Sequence, residues 1–187
     1  MSDIKERLDK VRALIQNLDF LEGKGLSNEE NIRIFCYNPE DEMVVRHFIN
    51  QLEIDQSLMN CHLKIYNLYK VFLSICDDMD IIDAIPDMEE ADGSVYLLEQ
   101  LNSTITNREF VDKIKYEPHE KGDVLVLTGV GEVFPFMRIH TLLEALQPFF
   151  SDIPILVMYP GEFDKYHIKL FNRLTPNDYY RAFNVID

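Results

Sequence analysis

The 187 residues include no tryptophan, and only seven glycines, eight prolines and three cysteines. So little glycine and proline, with no run of either, excludes a collagen-like or low-complexity chain. Cys36, Cys61 and Cys76 are odd in number and form no CxxC pair. Each sits among apolar neighbours, where a free cysteine behaves as a small hydrophobe, so no disulfide framework is expected and a reducing cytoplasm is the natural setting. Apolar runs such as Ile155–Tyr159 fall far short of the roughly 20 residues that span a bilayer. The opening Met-Ser-Asp-Ile-Lys-Glu-Arg-Leu lacks the apolar centre of a signal peptide, so neither export nor membrane attachment is expected.

Basic residues are also scarce. Eighteen Lys and Arg face 33 Asp and Glu, a formal net charge of −15, which argues against direct binding to nucleic acid or anionic membrane, both polyanions. The imbalance is local. From Gly122 onward there are five bases and eight acids, whereas Asp77–Asp92 carries eight acids and no base. Such a run reads as a solvated face, or as a docking surface for a basic partner.

What remains is a chain rich enough in apolar residues, at 47%, to build one domain over 1–187 that buries roughly 70% of its unfolded surface. An N-terminal helix over Asp3–Leu21, within a 1–25 appendage, follows from Ile4, Leu8, Val11, Leu14, Ile15 and Leu18 at spacings of three and four. Asn31–Tyr37 reads as a strand. Asn38-Pro39 opens a helix whose buried stripe is Met43, Val44, Phe48, Ile49 and Leu52. His62–Leu68 is a second strand and Tyr69–Ile85 a helix, followed by an acidic turn at Pro86–Gly93 and helices at Ser94–Leu101 and Thr106–Ile114. Asp123–Leu127 and Ile153–Tyr159, apolar on both faces, flank a helix near Met137–Phe150 and make a βαβ unit. Pro160-Gly161 is expected to turn the chain toward short strands at Ile168–Phe171 and Tyr180–Ile186. The fold class is α/β: a mostly parallel sheet of about four to six strands flanked by helices, Rossmann-like or degenerate P-loop-like. Ligands or partners of such sheets meet the loops at the strands' carboxyl ends, which gathers Tyr37–Glu42, Thr128–Arg138 and Pro160–Asp164 onto one rim.

The 122–187 half holds the unusual strings. Gly129 and Gly131 suggest a phosphate loop, but position 134 is Phe and no Gly-Lys-Ser/Thr follows, so the third glycine, the cation and the hydroxyl of the known nucleotide motifs are absent. A tight turn is the simpler use of these glycines. Arg138 and His140 open the next helix with Glu144 four residues beyond His140. That pair orients an imidazole, half-builds a metal site with Glu162, Asp164 or His167, or holds the rim loops rigid. No nucleophile-elbow pattern is present. No catalytic set, metal site or cofactor is expected. Arg181 among Tyr179, Tyr180 and Phe183 reads either as an interface hot spot or as a core edge.

Taken in order, Leu127-Thr128-Gly129-Val130-Gly131, Phe134-Pro135-Phe136-Met137-Arg138-Ile139-His140-Thr141, Tyr159-Pro160-Gly161-Glu162-Phe163-Asp164, Leu170-Phe171 and Tyr179-Tyr180-Arg181-Ala182-Phe183 resemble the BrxB family of bacterial BREX phage-defence systems. Gly25-Leu26 and Phe35-Cys36-Tyr37-Asn38-Pro39 followed by Val45-Arg46 resemble its early strand and helix. The resemblance implies a subunit of a multi-protein defence complex that acts with the larger PglZ protein, and implies no enzymatic activity. Its signature would include Gly129, Gly131, Pro135, Arg138, His140, Pro160, Gly161, Tyr179, Tyr180, Arg181 and Phe183. Ile139 stands where the family pattern has Ser, and Glu144 and Ala145 where it has Asn, which weighs against a shared proton relay through Glu144. A degenerate nucleotide-binding protein using the Gly129-Val130-Gly131 loop is the alternative.

Overall fold

Alternating apolar side chains along three strands dictate a sheet covered on both faces. In a computed structural model of the chain, which describes residues 3–22, 31–163, 167–174 and 184–186, strand β1 (Ile32–Tyr37) sends Ile32, Ile34 and Cys36 to one face and Phe35 and Tyr37 to the other. Strand β3 (Asp123–Thr128) divides Leu125 and Leu127 from Val124 and Val126, and β4 (Ile155–Phe163) divides Ile155, Val157 and Tyr159 from Leu156 and Met158. The second face is covered by α1 (Ile4–Leu14) and α3 (Glu42–Asp55). The first lies under α4 (Leu68–Asp78), α6 (Ser94–Thr104), α7 (Asn107–Ile114), the single turn α8 (Val130–Val133) and α9 (Ile139–Leu146). The buried apolar residues of these strands thus divide between two separate cores, as period-two geometry requires.

The parallel sheet runs β2 (His62–Asn67), β3, β4, β1, β6 (Asn184–Ile186), and β5 (Ile168–Leu170) pairs antiparallel with the far end of β4. Strands β3 and β4 are parallel neighbours, with Leu125 opposite Ile155, so the expected βαβ unit is present. The chain leaves β1 along the α3 face for the edge strand β2, then returns along the opposite face to β3 and β4. Loops after β1 and β3 therefore diverge to opposite faces and open a crevice between them, the usual binding position in open α/β sheets.

Several element readings need correction. The first helix is two, because the Asn17 side chain accepts hydrogen bonds from the Asp19 and Phe20 N–H groups and recaps the chain as α2 (Leu18–Leu21). Helix α3 buries Val45, Phe48, Ile49 and Leu52, which leaves Met43 on the opposite side, 72% exposed. The presumed helix to Ile85 stops at Asp78. The presumed acidic turn is instead helix α5 (Ile85–Asp92), with Pro86 in its first turn, where a missing N–H costs nothing. None of its residues is buried, so much of the acidic run is a solvated face. Helix α9 is shorter than Met137–Phe150. Pro160-Gly161 does not turn the chain: Pro160 ends the parallel register opposite Tyr37, and β4 continues through Gly161 to pair with β5. The missing proline N–H is tolerated at this margin, while the Pro160 carbonyl accepts from Phe171 N–H at 2.8 Å.

Helix α7 starts with a capping box. Glu109 accepts from the Thr106 N–H at 2.7 Å, and the Thr106 hydroxyl oxygen accepts from Arg108 N–H. Hydrogen bonding to Thr106 holds the Glu109 carboxyl below its ordinary pKa. The helix buries Phe110, Val111 and Ile114, so its start bears on the core. Thr106→Ala is expected to cost about 1 kcal/mol and lower the melting temperature by roughly 2–4 °C, as read by thermal denaturation. All three cysteines are buried, and burial raises the thiol pKa of Cys61 and Cys76, which keeps them unreactive.

Candidate functional site

The crevice at the strand ends has a volume of about 400 Å³ and adjoins a recess of about 250 Å³ beside the glycine loop. Four strands deliver its lining: Tyr37 ends β1, Asn67 ends β2, Thr128 ends β3 with Gly129 directly after it, and Met158 lies on β4. Helix α3 adds Glu42 and Arg46, one turn apart. Asn38 starts this segment, its side chain accepting from Glu40 N–H ahead of Pro39, and so aims the first turn of α3 across the sheet toward β3.

A continuous polar chain crosses the crevice. The Tyr37 hydroxyl donates to Glu42 Oε2 at 2.6 Å, and Arg46 Nε donates to Glu42 Oε1 at 2.7 Å. The other arm of Arg46 meets Glu132 Oε1 at 2.7 Å, and Asn67 Nδ2 donates to Glu132 Oε2 at 3.0 Å. Asn67 Oδ1 accepts from Lys70 N–H, capping α4. Burial, and then the bond to Glu42, push the Tyr37 pKa well above its ordinary value, so this hydroxyl stays protonated and donates. The bonds to Glu42 and Glu132 raise the already high pKa of Arg46. Arg46 is held between two carboxylates, which gives the crevice rigidity and a net negative rim.

The glycine loop is shaped by packing. Gly129 lies in the left-handed region (φ +72°), and a Cβ there would come 2.8–2.9 Å from the Asn67 carboxamide. A Cβ on Gly131 would meet the Phe171 ring at 2.7 Å and Pro160 Cγ at 3.1 Å. Phe171, itself at φ +56°, is thereby folded over the loop. The small residues admit Asn67 and Phe171, and the helix that follows is four residues long. Arg138 does not join them. It is exposed near the start of α9, its guanidinium 5.6 Å from the centre of the Phe134 ring.

The structure thus brings together Gly129, Gly131 and Pro160 with Tyr37, Pro39 and Glu42 at one recess. Gly161 lies just beyond, in the β4–β5 ladder. Pro135 and Arg138 flank a separate hollow beside Asn102 and Thr106. His140 is half-buried, its pKa lowered by burial and by Arg138 against the pull of Glu144. His140 and Glu144 are not part of a metal-ligating cluster among the described residues. Tyr179, Tyr180, Arg181 and Phe183 lie outside the described residues, as does Asp164.

A family model described as BREX protein BrxB matches residues 64–185. The chain is 35% identical over 194 residues to the BREX protein BrxB of Bacillus cereus (strain H3081.97), a match covering all of both chains. The chain belongs to the BrxB family. A second member, the BREX protein BrxB of Escherichia coli O9:H4 (strain HS), is 27% identical over 98% of this chain and 92% of its own. No solved structure matches the chain. The family match takes in Asn67, the glycine loop, Glu132 and Pro160, while Tyr37, Glu42 and Arg46 precede it.

Sequence reasoning missed the chain of Tyr37, Glu42, Arg46, Glu132 and Asn67 as a unit. One signal was present: Glu42 and Arg46 stand four apart at a helix start, the spacing of an ion pair. Nothing local signals that Arg46 reaches Glu132, 86 positions on, because that meeting depends on β1 and β3 flanking β4.

Proposed function

We propose that the chain is a non-catalytic subunit of a BREX anti-phage assembly that docks on a PglZ-like protein through the crevice rim. The observation that carries this reading is the full-length match to a BREX protein BrxB. The geometry supports a recognition surface. Arg46 in the crevice is bound by two carboxylates, the glycine loop is covered by Phe171 and Asn67, and among the described residues no nucleophile, base and orienter converge there. A preassembled polar rim of this kind sets partner choice more than raw affinity.

The test is co-purification of the full chain with a PglZ-like protein of a BREX system. Retention of the partner at moderate salt is expected, and Arg46→Ala should weaken it on the order of tenfold, with a thermal melt confirming that the variant is folded. A partner that elutes free from the parent chain would overturn the reading. The nucleotide alternative is met by a thermal-shift series with nucleotides and magnesium. A ligand at 100 times its dissociation constant would stabilise by about 2.7 kcal/mol, and no shift is expected.

A further inference from the structure

The opposite end of the same strands carries a second cluster that the docking reading does not use. His62 and Asp123 are the first residues of β2 and β3 and stand directly opposite one another in the parallel register. Asp123 is fully buried. Its Oδ2 accepts from the Tyr116 hydroxyl at 2.8 Å and from the Glu120 N–H at 3.1 Å. Its Oδ1 faces His62 Nδ1 at 3.2 Å. The 120–123 turn closes through Asp123 N–H to the Glu120 carbonyl at 3.0 Å, and His62 N–H donates to the Gly122 carbonyl at 2.8 Å. This turn places Glu120 Oε2 4.0 Å from His62 Nδ1, and the three donor atoms all lie within 4.8 Å of one another.

Two bonds of about 2.0–2.2 Å at a tetrahedral angle set neighbouring donors roughly 3.3–3.6 Å apart. The His62–Asp123 spacing of 3.2 Å is already close to that range, and Glu120, with a 70% exposed side chain, needs to move inward by less than its own rotamer freedom. The two oxygens of Asp123 are divided as in protein metal sites, one held by outer partners and the other directed at the ligand position. Imidazole with two carboxylates is a donor set for zinc and its neighbours rather than for calcium or magnesium, which take all-oxygen shells. Of the nearby cations, Lys64 lies over the Tyr116 ring at 5.3 Å and Lys121 pairs with Glu22 at 2.8 Å.

We propose that His62 Nδ1, Asp123 Oδ1 and Glu120 Oε2 form a binding site for a divalent ion of the zinc class, with water completing a tetrahedral shell. The ion fastens the starts of β2 and β3 to the turn between α7 and β3. The site is independent of the crevice and of any partner docked there.

The experiment uses the full chain after treatment with a chelator. Titration with Co²⁺, followed by visible absorption, is expected to give one saturable site with the intense bands of tetrahedral cobalt, displaced by Zn²⁺. His62→Ala and Glu120→Gln change exposed side chains and leave the fold intact; each is expected to weaken Zn²⁺ binding at least tenfold by calorimetry. Tyr116→Phe keeps the ring, removes the bond to Asp123 Oδ2, and is expected to weaken binding by about tenfold. His140→Ala should bind like the parent. No saturable binding by the parent, or parental affinity in both His62→Ala and Glu120→Gln, would overturn the assignment.

Discussion

Replacing Gly161 with alanine is expected to destabilise the protein by about 3 kcal/mol, the upper part of the usual range for overpacking, and to lower its melting temperature by roughly 6–12 °C. The reason is space. A Cβ at this position would overlap the Lys169 carbonyl oxygen of the paired strand and lie 2.8 Å from the Tyr159 ring. A flexible side chain can swing aside, but the Lys169 carbonyl is backbone, so β5 must move away from β4 as a unit. The disturbance spreads, because Phe171 follows β5, donates its N–H to the Pro160 carbonyl, and packs its ring on Gly131. Thermal denaturation measures the loss. Hydrogen exchange should locate it, with faster exchange at Phe171 and little change at β2. A melting temperature within 2 °C of the parent, a shift worth well under the range cited, would contradict this account of the β4–β5 contact.

The second large effect is expected at Asp123→Ala, on the order of 2–4 kcal/mol. Alanine strands the Tyr116 hydroxyl and the Glu120 N–H, two donors that point at a buried carboxylate, and each stranded group costs about 1–3 kcal/mol. The effect depends on pH with a definite sign. Burial alone would raise the pKa of Asp123, but the Glu120 N–H, the Tyr116 hydroxyl, the charge of Lys64 and the bond with His62 outweigh it and leave the pKa below the ordinary value. A carboxyl with a depressed folded-state pKa contributes stability that is fully present above the unfolded value, near pH 4, and is lost as pH falls through the folded value. The stability gap between parent and Asp123→Ala should therefore be large at pH 7 and should shrink on acidification below about pH 4. Urea denaturation at pH 7 and pH 3, with chelator present, measures both ends. A gap that grows on acidification would contradict the sign.

The frame of the fold is legible in the sequence because it depends on short-range periodicity. Asp123–Leu127 and Ile155–Tyr159 are apolar on both faces, and only a sheet covered twice satisfies that pattern. The meeting of Tyr37, Gly129 and Pro160 is legible for the same reason, since strand ends in a parallel sheet point one way, whereas Pro135 and Arg138 leave that rim for a separate hollow. Elements that failed did so where a side chain competes with the backbone pattern. Asn17 recaps a helix whose apolar spacing continues past it, and Pro86 starts a helix that its charge disguises as a turn. Pro160-Gly161 reads as a turn by residue type, yet both fit a strand margin where one residue lacks an N–H and the other gives room to a neighbouring carbonyl. The polar chain through Arg46 and the His62–Glu120–Asp123 cluster were beyond sequence reasoning. Each joins residues from separate strands, and their meeting is set by strand order, which periodicity does not encode.

That strand order has a consequence for how the protein is made. Strand β1 pairs on one side with β4, Ile32 opposite Ile155, and on the other with β6, Phe35 opposite Ile186. Both neighbours emerge from the ribosome more than 100 residues after β1 itself, at about 5–20 residues per second. For those seconds Ile34 and Phe35, apolar on opposite sides of the strand, have neither ladder partner, and α1 and α3 have only part of the surface they later cover. Pairings this distant in sequence slow folding, because the entropy of closing the loop precedes any contact it allows. The nascent chain is thus expected to depend on holding β1 away from other strands until its C-terminal third is complete.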